Sequence, residues 1–72
     1  MRVKIAGRVY NMPKEKYLNL LETAKEQVVK GIYGIENAKG AELLCIPCES
    51  MTRLKKIKRS YRKQGYKVHY KT

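Results

Sequence analysis

The sequence has no Trp and no Phe, so its six tyrosines must supply all aromatic packing. Only two cysteines and one histidine are present. A disulfide-dense scaffold is thereby excluded, and a Ser-His or Cys-His nucleophilic constellation would have to use the single His69. No apolar stretch approaches the roughly 20 residues that cross a bilayer as a helix. The opening residues MRVKIAGRVY alternate basic and apolar side chains, unlike the continuous apolar centre of a secretory signal. Cytoplasmic residence is the expectation. A glycine-rich phosphate loop is missing too, because Gly31, Gly34 and Gly40 are spaced as turn markers. No paired carboxylates suggest acid–base chemistry. Together these absences lead to the expectation that the chain is not an enzyme.

Acidic residues are the scarcest ionisable class relative to their counterparts: 6 against 17 Lys and Arg, for a net charge of +11. The imbalance is local. Residues 1–52 carry 8 basic and 6 acidic side chains, whereas residues 53–72 carry 9 basic and none acidic. A surface tuned only for solubility intersperses both signs. Concentrating one sign costs self-repulsion, which a polyanionic partner relieves.

Seventy-two residues suffice for a single domain spanning 1–72 with a thin core. Arg2–Tyr10 alternates with period two, predicting one strand with Val3, Ile5 and Val9 inward and Arg2, Lys4 and Arg8 outward. Pro13 suits a helix start. Tyr17, Leu21, Ala24 and Val28 then recur at helical spacing through Lys30, with Gly31 as the stop. Two short strands, Ile32–Glu36 and Glu42–Ile46, flank a turn at Asn37–Ala41. A second helix from Ser50 to Gln64 turns Met51, Leu54, Ile57 and Tyr61 inward and is closed by Gly65, after which residues 66–71 alternate as a last strand.

The order is β-α-β-β-α-β. It predicts an α+β ferredoxin-like split βαβ domain: a four-stranded antiparallel sheet, both helices on one face, and the first and last strands adjacent.

On the second helix, Lys56, Arg59 and Lys63 fall opposite the apolar stripe, with Lys55 and Arg62 on one flank and Arg53 on the other. Lys58 lies near the apolar boundary, where its stem can pack while its head reaches water. These residues, with Lys67 and the N-terminal cations in support, are the candidate contacts to nucleic acid, DNA or RNA. A solvated cationic face with no specific partner is the plainer alternative. A third reading is a small regulator or inhibitor of the phage or mobile-element type that docks the same helix on an acidic protein; a homodimer is compatible with each. RNP-type aromatic motifs are lacking, so base stacking on an open sheet is not expected. Tyr61, Tyr66 and Tyr70 occupy periodic positions that predict core.

Cys45-Ile46-Pro47-Cys48 admits three readings: a redox pair, a metal site or packed thiols. With His69 it offers only three ligands where a closed zinc site needs four. Packed thiols are the favoured reading, with no cofactor or metal required, and His69 is expected at the surface.

Overall fold

A two-residue turn decides the architecture. The computed structural model describes all 72 residues and places a reversal at Ala6-Gly7, both with positive φ (51° and 83°). Two successive positive φ values match the hairpin turn whose twist suits the flanking strands, and glycine tolerates them without a Cβ penalty. The predicted N-terminal strand is therefore two: β1 (Arg2–Ile5) and β2 (Arg8–Asn11), antiparallel with Ile5 opposite Arg8. Val9 consequently pairs with Lys4 and is 53% exposed, while Val3 is fully buried on the other face. Its expected inward position is overturned.

Helix α1 (Lys14–Gln27) follows and ends earlier than predicted. Val28 is already extended (φ −99°, ψ 125°) and buried, and Gly31 opens the next strand instead of capping the helix. The β-branched pair Val28-Val29 favours that change of conformation. Strands β3 (Gly31–Asn37) and β4 (Gly40–Pro47) form a hairpin tighter than expected. Its loop is Ala38-Lys39 alone, fastened by the Asn37 carboxamide oxygen, which accepts from the backbone N–H of Lys39 at 2.9 Å and of Gly40 at 3.2 Å. Helix α2 (Met51–Lys63) and strand β5 (Lys67–Lys71) complete the chain.

The sheet is five-stranded and mixed, in the order β2-β1-β4-β3-β5. β1 and β4 are parallel neighbours, and β5 pairs with β3 at the far edge. The molecule is thus a small α+β domain, but neither four-stranded nor wholly antiparallel, and its first and last strands are not neighbours.

Strand directions explain where the helices go. β2 and β3 run one way; β1, β4 and β5 run the other. The crossovers β2–α1–β3 and β4–α2–β5 step the same way across the sheet from strands of opposite direction. Right-handed connections then place the two helices on opposite faces. Core packing agrees. Tyr17 and Leu21 of α1 cluster with Val3, Tyr33 and Ala41, with Leu43 packed against them. Leu54 of α2 clusters with Ile32, Ile35, Cys48 and Val68, with Leu44 and Ile46 alongside. Along β4, then, Leu43 serves one side and Leu44 the other, as strand alternation requires. A bulge between Ile32 and Gly34 resets β3 so that Ile32 and Ile35 both reach the α2 side. Both helices on one face was the wrong expectation. It followed from counting one N-terminal strand where there are two.

Candidate nucleic-acid interface

Helix α2 is held firmly at both ends. Ser50 caps its start, the hydroxyl accepting from the Arg53 N–H at 3.2 Å. At the other end, Gly65 (φ 91°) donates to Arg62 O at 3.0 Å and Tyr66 donates to Tyr61 O at 3.1 Å. These are the two backbone bonds of a Schellman cap. The accompanying apolar contact is the edge-on pairing of the Tyr61 and Tyr66 rings, 6.1 Å apart at 88°. The helix between these caps is a fixed platform.

Seven of its 13 residues are Lys or Arg and none is acidic. Leu54 is buried; Ile57 and Tyr61 are half-buried against the sheet. Met51, predicted inward, is 41% exposed. Arg53, Lys55, Lys56, Arg59, Arg62 and Lys63 are all exposed, as their spacing requires. Lys58 is half-buried, its ammonium 4.2 Å from the centroid of the Tyr70 ring. Such a cation over an aromatic face gains about 0.5–1 kcal/mol at exposed sites. Lys58 thus lies on the β5 side of α2, beside Lys55, Arg59 and Arg62. The four line a depression of about 250 Å³ with no other residue in its wall. No carboxylate lies within ion-pairing distance of any α2 cation; the one such contact in the chain is between His69 and Glu36.

Lys67 does not join this face. Its neighbour Val68 packs under α2, so Lys67 projects from the opposite side with His69 and Lys71. Lys71 confirms the direction, its ammonium donating to the Lys25 carbonyl of α1 at 3.3 Å. Arg2 and Lys4 do lie on the α2 side. Lys4 pairs with Glu42, which pairs with Ile35 beneath α2. Along with Lys39, Tyr66 and the carboxylate-bearing Glu42, they line a shallow groove of about 300 Å³ at the C-terminal end of the helix. Arg2 and Lys4 on one face of the sheet and Lys67, His69 and Lys71 on the other therefore do not form one surface.

His69 is not a bare surface residue. Its Nε2 meets Glu36 Oε1 at 2.5 Å, and the Tyr17 hydroxyl donates to the same oxygen at 3.5 Å. Burial first, then the neighbouring Glu36 charge, pushes the Tyr17 phenol up to about 12. The pairing was invisible in sequence because 33 residues separate its members. Of the tyrosines assigned to the core, Tyr70 is 40% exposed. The cysteines part company: Cys48 is buried among Ile32 and Leu54, while Cys45 is exposed beside the end of α1. No three His, Cys, Asp or Glu side chains are grouped as metal ligands would be. No helix is long and apolar enough to cross a membrane.

No protein-family model, no curated protein and no solved structure matches this chain.

Proposed function

We propose that the protein is a non-enzymatic nucleic-acid-binding domain that grips phosphates with α2. The observation carrying this reading is a capped, rigid helix whose seven cations have no acidic partner, in a chain that places all six of its acids elsewhere. Like charges three and four residues apart weaken a helix by a few tenths of a kcal/mol per pair. Phosphate contacts remove that cost, and each releases a condensed counterion. The contacting residues are Arg53, Lys55, Lys56, Arg59, Arg62 and Lys63, with Arg2 and Lys4 on the same side of the sheet. Lys67 is a poor member of the set, since it faces the other side of the sheet.

Titration of labelled DNA at several salt concentrations tests the reading. With about five phosphates neutralised, log affinity falls against log salt with a slope of about −4.5. A flat salt response, or no complex at low salt, refutes it.

A further inference from the structure

Having the helices on opposite faces leaves α2 alone on its side of the sheet. Its exposed cations, from Arg62 round through Arg59 and Lys63 to Arg53, cover about 180° of the circumference at 100° per residue. The surface is a ridge. Single-strand sites are built differently, as grooves floored with aromatic rings on which bases stack. Here the Tyr61 and Tyr66 rings are engaged with each other, and Lys58 covers a face of Tyr70. A convex, rigid helix about 10–12 Å across instead matches the roughly 12 Å width of the B-DNA major groove. The A-form major groove is too deep and narrow to admit it.

Resting on the phosphate-binding reading above, we infer that the ligand is double-stranded DNA and that α2 lies in its major groove. Lys55, Lys58 and Arg62 then contact the phosphates of one wall. Arg53, on the opposite flank, contacts the other. Lys56, Arg59 and Lys63, opposite the buried Leu54, face the base edges together with Thr52. Lys and Arg side chains in that position read guanine O6 and N7. Preference for G·C-containing duplexes follows.

The test compares a short duplex DNA, its separated strands and the duplex RNA of the same sequence by fluorescence anisotropy. Duplex DNA is expected to bind about tenfold or more tightly than either alternative. Prior methylation of guanine N7, in the major groove, should weaken binding, and methylation of adenine N3, in the minor groove, should not. The Lys56→Glu/Arg59→Glu/Lys63→Glu variant should lose duplex binding while keeping the circular-dichroism spectrum of the parent. Equal binding to all three nucleic acids, or sensitivity to adenine N3 methylation alone, overturns the groove assignment and leaves phosphate binding standing. Binding to none of them overturns both.

Discussion

Glu36 and His69 meet across β3 and β5 through a 2.5 Å contact between Oε1 and Nε2. An ionised carboxylate can only accept, so a proton on Nε2 is what lets these two groups bond. Tyr33 lies against the imidazole, its ring centroid 6.0 Å away. In a chain with 17 Lys and Arg, the only carboxylate in contact with a basic side chain faces the lone histidine. His69→Ala leaves Glu36 with only the longer Tyr17 bond and should cost about 1 kcal/mol in urea unfolding. An unchanged midpoint would show that the contact contributes nothing.

Tyr17 makes stability depend on alkaline pH. Its phenol titrates near 10.0 when unfolded and about 12 when folded, so the native state favours the protonated form. The stabilisation is therefore complete below pH 10 and disappears as pH rises toward 12. Tyr17→Phe should flatten the fall in stability across that interval relative to the parent. Parallel pH curves for the two proteins would contradict this.

Arg59 has cations at all four helical neighbours, Lys55, Lys56, Arg62 and Lys63. Arg59→Glu converts four repulsions into attractions and should raise stability by about 1 kcal/mol. The same change should lower DNA affinity at least tenfold, through lost phosphate attraction. Thermal melting and anisotropy on one sample read both effects. Loss of stability together with affinity would argue that Arg59 supports the fold.

Gly31 and Gly7 should respond very differently to alanine. A Cβ at Gly31 would meet the Ile46 carbonyl oxygen at 2.2 Å, at a φ of 146°. Gly31→Ala should cost about 3 kcal/mol or more, since the obstacle is backbone. At Gly7 nothing lies within 4 Å, so Gly7→Ala should cost about 1 kcal/mol from its positive φ alone. Equal midpoints for the two variants would refute the difference.

Leu54 is 1% exposed and links α2 to Ile32, Ile35 and Val68. Leu54→Ala should cost about 2–5 kcal/mol, enough to release α2 from the sheet of so small a domain. Limited proteolysis should then cut within residues 51–63.

Both helices were legible in the sequence, because amphipathic spacing and end signals agree at Ser50, Gly65 and Pro13. Exposure of six α2 cations was legible for the same reason: helical geometry alone dictates it once Leu54 and Ile57 face inward. What escaped was long-range. Period-two alternation from Arg2 to Tyr10 does not register a reversal at Ala6-Gly7, though a glycine inside a strand pattern was the available signal. The pairing of β5 with β3, and the meeting of Glu36 with His69, depend on sheet order, which no local pattern encodes. Alternation along β5 was legible as well: Val68 faces α2, and Lys67 leaves the sheet on the other side.

The reversal at Ala6-Gly7 has a wider implication about odd and even. Each extra strand traversed before a crossover inverts the chain's heading, and a right-handed connection then lands its helix on the other side. Gain or loss of one short edge hairpin can thus carry an entire helix through the plane of a sheet while leaving that helix's own residues untouched. In this protein four residues of β2 separate a shape with a bare sheet and two crowded helices from one in which the charged helix stands by itself.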